Sequence, residues 1–298
     1  MRIKKDRLTI VVHTVSYLFI GLFALACLVP FVLMISGSFS NETLINTTGL
    51  GLLPKGFSLA AYNLIFKSAK QLIGAYAVTI IMTFAGTIVG LFIIAMTGYA
   101  LQRKDFPFRN YISFFIYFTT LFSAGLAPTY LWITKYLGLK GSYLAVFLQL
   151  LMTPWLIVLM KNFAKSVPYE ITESGKIDGA GDFKIFTSLI LPMLKPALAT
   201  IGLFLALGYW NEWYNSMLYL SSSSEIHYYP LQYHLYRIIN QAAALKNTMA
   251  GANVTVGSLP TLTLKLATAV LATGPIIFLY PFVQKYFISG ITVGAVKG

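Results

Sequence analysis

Six apolar runs, each holding at least the ~20 residues a helix needs to cross a bilayer, leave this chain little choice of environment. They cover about Thr9–Gly37, Leu72–Leu101, Tyr111–Thr134, Ser142–Phe163, Ala197–Leu220 and Leu259–Phe282. Hydrophobic residues make up 57% of the sequence and charged ones 10%, where a soluble domain carries about a quarter. The predicted fold is all-α: a polytopic membrane protein with six transmembrane helices, read as a single domain over residues 1–298. The first run is too long for a signal-peptide core and no small-residue cleavage site follows it, so it is expected to remain as a span, kinked at Pro30. Gly86 and Gly90 form a small-xxx-small pair in the second run, a pattern that can bring helices close, although ordinary glycine use is the simpler account.

The charges sort by side. Arg2, Lys4, Lys5 and Arg7 precede the first run; Arg103, Lys104 and Arg109 follow the second; Lys161, Lys165, Lys176, Lys184 and Lys195 flank or fill the segment after the fourth; Lys285 and Lys297 follow the sixth. The opposite side holds only Lys55, Lys67, Lys70, Lys135, Lys140, Arg237, Lys246 and Lys265. By the positive-inside rule the first set is cytoplasmic, as are both termini. The same rule accounts for the net charge of +13 without nucleic acid. Residues 221–258, rich in Ser, Asn, Tyr and Gly, become an external loop, and residues 284–298 a cytoplasmic tail. A short amphipathic piece is expected around Leu59–Phe66. The lone cysteine, Cys27, forms no intrachain disulfide.

One interior segment, Ser166–Pro196, combines dense charge with glycine and proline. Burying Glu173, Lys176, Asp178, Asp182 and Lys184 at a bilayer centre would cost roughly 2.5–3.5 kcal/mol each, so the segment lies outside the hydrocarbon. It reads as two short helices: Pro168 in the first turn, Gly179 and Gly181 as the break, Asp182 as the second cap, and Phe183, Phe186 and Ile190 as an apolar face. Pro192 and Pro196 end it. A charged helix–turn–helix on a membrane domain is a docking element for a soluble partner.

Glu173, Ser174 and Gly175, then Asp178, Gly179 and Ala180, then Leu189, Ile190, Leu191 and Pro192 stand in the register of a known motif. The segment resembles the EAA loop of ABC-importer membrane subunits, which reads E-A-A, three residues, G, nine residues, I-x-L-P. Glu173, Gly179, Leu191 and Pro192 coincide with it; Ser174 and Gly175 replace the alanines and Leu189 the isoleucine. The spacing is long and mixed in residue type, so the match is specific.

Catalytic signatures are missing. Gly175 and Lys176 are followed by Ile177, and position 170 is glutamate, so no P-loop forms. His13, His227 and His234 are too scattered for a metal site, and no nucleophile–base pair stands out. Late in the fifth run come Trp210, Asn211, Glu212, Trp213, Tyr214 and Asn215. Glu212 stands seventeen residues beyond Lys195, about 25 Å along a helix, in the outer half of the membrane. Two readings fit. Aromatic rings beside amide and carboxylate groups suit a sugar in a translocation pathway; the same rings form an interfacial belt with Glu212 reaching headgroup water.

The W-N-E segment looks like the carbohydrate-importer branch. The ending Gly294, Ala295, Val296, Lys297, Gly298 is similar to tails that touch the ATPase pair there, and residues 221–258 correspond to a loop that reaches toward the docked binding protein. The whole chain therefore resembles the second, six-span permease subunit of carbohydrate ABC importers of the maltose-transporter type. The resemblance implies a heterodimer with a second permease subunit, two ATPase subunits, an external solute-binding protein and alternating access. ATP and magnesium would sit on the partner ATPase, and this chain would hold no cofactor and catalyse nothing. Glu173 and Asp178 would supply contacts to the ATPase, Gly179 and Ala180 its close approach, and Leu189–Pro192 the join to the fifth span. Trp210–Tyr214 would line the pathway, and Gly294, Val296 and Lys297 would contact the ATPase. An importer of another solute, such as a peptide or phosphate, and an ion-coupled secondary transporter remain the alternatives.

Overall fold

The computed structural model describes residues 7–67, 69–221, 226–251 and 260–277, and among these there is no strand. In chain order the helices are α1 (Arg7–Ser38), α2 (Glu42–Thr48), α3 (Ala60–Phe66), α4 (Ala69–Gln102), α5 (Arg109–Leu121) and α6 (Leu126–Tyr136). There follow α7 (Tyr143–Leu151), α8 (Pro154–Ala164), α9 (Glu170–Ile177), α10 (Asp182–Met193) and α11 (Lys195–Trp210). The last are α12 (Tyr214–Leu220), α13 (Leu231–Gly251) and α14 (Thr261–Ile277). Among the described residues three stretches are long and apolar enough to cross a membrane: Val11–Ser38, Ala69–Gln102 and Tyr143–Ala164.

Two of the apolar runs are broken rather than straight. The third run is split into α5 and α6, bent by 116°. The break holds Ser123, Ala124 and Gly125, and Gly125 has φ +83°, a left-handed conformation that glycine adopts without penalty. In the fifth run α11 stops at Trp210 and α12 starts at Tyr214. The polar side chains there offer the backbone alternative hydrogen bonds, which ends a helix that apolarity alone would continue. A second difference concerns residues 221–258, expected to be a loop: Leu231–Gly251 is helical over 21 residues. Leu231, Leu235 and Ala242 are buried while Gln241 and Ala244 are exposed, so an amphipathic pattern underlies polar composition. The piece around Leu59–Phe66 is α3, as its pattern suggests.

The chain divides into two compact units. The first draws on residues before Lys70 and on Arg237–Pro275. Its α1 exposes every residue from Val11 to Val32, and from Val11 onward the side chains it buries lie near its end, at Ser36 and Ser38. Asn41 then caps α2, its side-chain oxygen accepting from the Thr43 N–H at 3.0 Å. Glu42, only 5% exposed, accepts the Leu262 N–H at 2.8 Å and the Thr263 N–H at 2.9 Å. The hydroxyls of Thr261 and Thr263 donate to the same carboxylate at 3.1 and 2.8 Å. Glu42 thus closes the first turn of α14 from outside that helix, where N–H groups have no intrahelical partner. Burial pushes its carboxyl pKa up, but the two N–H and two hydroxyl donors outweigh burial and hold it below the ordinary value.

The second unit is centred on Lys70–Tyr236, and α4 is its axis. Gly86, Gly90 and Gly98 recur on one face at spacings of four and eight. A Cβ on Gly86 would lie 2.3 Å from the Tyr209 ring; on Gly90, 2.9 Å from the Leu151 carbonyl; on Gly98, 2.9 Å from the Lys161 nitrogen. The pair that sequence alone leaves as ordinary glycines is therefore part of a close-approach stripe. Beside it, Ile94, Tyr99, Met160, Phe186, Ile190 and Ile201 belong to one buried cluster. Because the obstacle at Gly98 includes backbone, Gly98→Leu is expected to destabilise the purified protein by about 3 kcal/mol. Gly208→Ala, with nothing within 4 Å of its new Cβ, should leave thermal unfolding unchanged.

Candidate functional site

The charged segment folds as α9, a turn and α10. Glu170 and Glu173 lie in the first turn of α9 and Lys176 in the last, the order that suits the helix dipole. The helix closes through the Asp178 N–H on the Ser174 carbonyl (3.0 Å) and the Ala180 N–H on that of Gly175 (2.9 Å). Gly179, at φ +76°, turns the chain, with nothing within 4 Å of where a Cβ would stand. Gly175 serves a different purpose. A Cβ there would meet Ile185 at 3.0 Å and Leu189 at 3.1 Å, so the missing side chain lets α9 lie against α10.

The inner face of α10 differs from the expected one. Phe186 and Ile190 are buried, but Phe183 is 64% exposed and Ile185 takes its place. Ile185 faces Gly175 of α9 while Phe183 lies beside Phe92, a choice made by the neighbouring helices that regular spacing cannot anticipate. Gly181, not Asp182, stands at the N-cap. The Asp182 carboxylate instead meets the Arg103 guanidinium at 2.7 Å. Arg103 also forks onto Asp105, with Nε donating at 2.9 Å, and Lys176 reaches Asp105 from α9. Above this network the Tyr99 hydroxyl lies 3.2 Å from that of the buried Thr172, and the Tyr99 ring stacks on Phe186 at 5.7 Å. The end of α4 thus grips both helices of the charged unit.

The bond from Arg103, followed by that from Lys176, holds the Asp105 carboxyl well below the usual range, and the same bond raises Arg103. A depressed carboxylate stabilises the fold above its unfolded pKa of about 4 and loses that contribution as pH falls toward its folded value. Arg103→Gln is expected to loosen α9 and α10 by about 2 kcal/mol. Amide exchange within residues 170–193 should rise by about thirtyfold while α11 stays protected. Unchanged exchange would show that the apolar cluster alone holds the unit. Facing outward are Glu173, Ser174, Asp178 and Gly179, with Ile177 86% exposed at the tip. Ala180 and Leu191 are half-buried, and Leu189 and Pro192 are exposed.

The second set of residues gathers at the break between α11 and α12. Trp210 is buried, and Tyr209 donates to the Phe147 carbonyl at 2.8 Å. Glu212 is 8% exposed; its Oε1 accepts the Asn215 N–H at 2.6 Å and its Oε2 the Asn215 side-chain amide at 2.9 Å. Its carboxylate holds the start of α12. The exposed residues are Asn211, Trp213 and Tyr214. Trp213 packs on Tyr236 with ring centroids 4.9 Å apart, Tyr233 continues the row to Tyr229, and the Gln232 amide donates to Asn211 at 3.3 Å. Tyr236 and Gln232 complete this aromatic and amide surface; their helical spacing in α13 is the signal that a loop reading hides. No group of three metal-ligating side chains occurs among the described residues. Gly294, Val296 and Lys297, with the tail 284–298, lie outside the described residues.

Both features fall inside residues 90–293, which match the family described as binding-protein-dependent transport system inner membrane component. The chain belongs to that family. This permease is 38% identical over 283 residues to the polygalacturonan/rhamnogalacturonan transport system permease protein YtcP of Bacillus subtilis, with 95% of the chain and 96% of the relative covered. It is 27% identical to the trehalose/maltose transport system permease protein MalG of Thermococcus litoralis, covering 93% and 94%. Among solved structures it is similar to a chain of a bacterial ABC transporter involved in the import of the acidic polysaccharide alginate, at 30% identity and a TM-score of 0.76, covering 95% of this chain and 98% of that one. The resemblance carried by the EAA register and the W-N-E segment is thus borne out at the level of the permease family and its sugar-transporting relatives.

Proposed function

We infer that this permease is the membrane subunit of an ATP-driven importer and forms half of the pathway for a sugar or oligosaccharide. The observation that carries this reading is the α9–α10 unit: outward-facing charge in the EAA register, gripped from behind by Arg103, Asp105 and Tyr99. A unit gripped in this way transmits force to α4 rather than folding away from it. The permease pairs with a second permease subunit, two ATPase subunits that bind ATP and magnesium, and an external solute-binding protein. It has six spans: α1, α4, α5 with α6, α7 with α8, α11 with α12, and the span containing α14. Both termini are cytoplasmic. Closure of the ATPase pair moves Glu173, Asp178 and Gly179 as one rigid body, turning the spans outward; hydrolysis returns them. Gly294, Val296 and Lys297 add a second contact to the ATPase.

The Trp213 and Tyr236 rings with Asn211 and Gln232 offer the apolar faces and amide groups that a sugar uses. Acidic oligosaccharides are the first substrates to try, given the relative named for polygalacturonan and the structure named for alginate. Purification of the tagged chain in mild detergent is expected to bring down a stoichiometric ATPase and a second multi-span subunit. A homo-oligomer without ATPase would overturn the reading.

A further inference from the structure

A cleft of about 250 Å³ opens where α5 meets α8, lined by Ser113, Phe114, Tyr117, Val158, Lys161 and Lys165 among others. Its polar end is cationic. The charged groups acting on the Lys161 ammonium are Lys165 and Arg109, both positive. Among the described residues no carboxylate pairs with any of the three, since the ion pairs run between Arg103, Lys176, Asp105 and Asp182. Lys161 donates to the Ser113 hydroxyl at 2.7 Å, and that hydroxyl in turn donates to the Arg109 carbonyl. The bond fixes where the ammonium points and leaves two of its three N–H groups for another acceptor. Like charges held together beside an apolar wall need an anion.

The other end of the cleft is apolar and open. Phe114 is 69% exposed and Tyr117 52% exposed, and α5 has no buried residue along its whole length. The cationic end lies where α5 begins and α8 ends, at the level of the charged turn 103–109 and the segment after Ala164. A ligand that fits both ends carries a negative headgroup at the membrane boundary and a hydrocarbon tail running inward. A free anion satisfies only one end, and a neutral lipid only the other.

We propose that the cleft between α5 and α8 binds an anionic phospholipid, its phosphate between Lys161 and Lys165 and an acyl chain along Phe114, Tyr117 and Val158. The proposal rests on the membrane setting inferred above. It makes the permease dependent on the charge of the surrounding bilayer at a defined place rather than through a diffuse basic surface.

The test uses the complete complex in phosphatidylcholine nanodiscs with a fraction of phosphatidylglycerol, with bound lipid counted by native mass spectrometry after release. Wild type is expected to retain phosphatidylglycerol, and Lys161→Gln/Lys165→Gln to lose it by about thirtyfold in affinity, equivalent to about 2 kcal/mol. Lys165→Gln alone, an exposed position that leaves the Ser113 bond intact, should show an intermediate loss. Subunit yield is measured in the same samples, so failure of the importer reading shows as a missing ATPase and not as missing lipid. Equal retention by wild type and the double variant would overturn the proposal. So would displacement of the lipid by inorganic phosphate as readily as by phosphatidylglycerol, which would make the site one for a free anion. Loss of the second permease subunit from the double variant would also overturn it, making the cleft a subunit contact.

Discussion

Replacing Gly179 by aspartate is expected to stop ATP-driven uptake while leaving the permease in the membrane. Gly179 stands in the turn between α9 and α10 at φ +76° and faces open space. A side chain there meets nothing within this chain, so the effect must come from the backbone or from a partner. The two causes separate through Gly179→Asn. Asparagine and aspartate have nearly the same shape and both tolerate the left-handed region better than other non-glycine residues. Only aspartate adds a negative charge to a tip that already carries Glu173 and Asp178. If the tip docks on an ATPase, uptake in the aspartate variant falls at least tenfold, about 1.4 kcal/mol of coupling, while the asparagine variant stays near wild type. Uptake is measured with labelled oligosaccharide in cells, and membrane content by blotting. Equal loss in both variants would assign the role of Gly179 to backbone geometry. Normal uptake in both would remove the tip from the coupling surface.

Glu42→Ala is expected to release the start of α14. Four donors converge on this carboxylate, two of them the N–H groups of Leu262 and Thr263. Removing it strands those donors in a buried place, at about 1–3 kcal/mol for each donor left unsatisfied. The variant should be about 3 kcal/mol less stable, and the amides of Leu262 and Thr263 should exchange far faster. The pH dependence has a definite sign. The Glu42 pKa is depressed in the folded state. Its contribution is therefore present above the unfolded value of about 4.3 and lost as pH falls through the folded one. Glu42→Gln should abolish that dependence and retain part of the stability at neutral pH. Protection of the Leu262 and Thr263 amides in the alanine variant would refute the role.

The apolar runs, the charged segment and the family register are legible in composition and spacing, because bilayer thickness and turn chemistry act locally. Gly179 ends α9 as its position suggests. What escapes is set by neighbours. Gly175 reads as a small residue in place of alanine until Ile185 and Leu189 are seen 3.0 and 3.1 Å from its absent Cβ. Phe183 and Ile185 exchange roles because Ile185 is the one that meets Gly175 of α9. Sequence places Glu212 in a pathway or at an interface but does not reveal that its carboxylate closes the first turn of α12, a bond that exists only because α11 stops two residues earlier. Glu42 is the hardest to foresee. Nothing near it in sequence marks a residue whose partners stand more than two hundred positions away.

That distance has a meaning in time. Glu42 and Thr263 are 221 residues apart, and ribosomes add roughly 5–20 residues per second, so the carboxylate waits roughly 10–40 s for its donors. During that interval α1 and α2 are made, but the bonds that finish their unit do not exist. A chain that stalls or is cut before its last span carries an ionised carboxylate in a half-built pocket. The unit that α2 begins is therefore closed only once α14 has been made, whatever has folded before it.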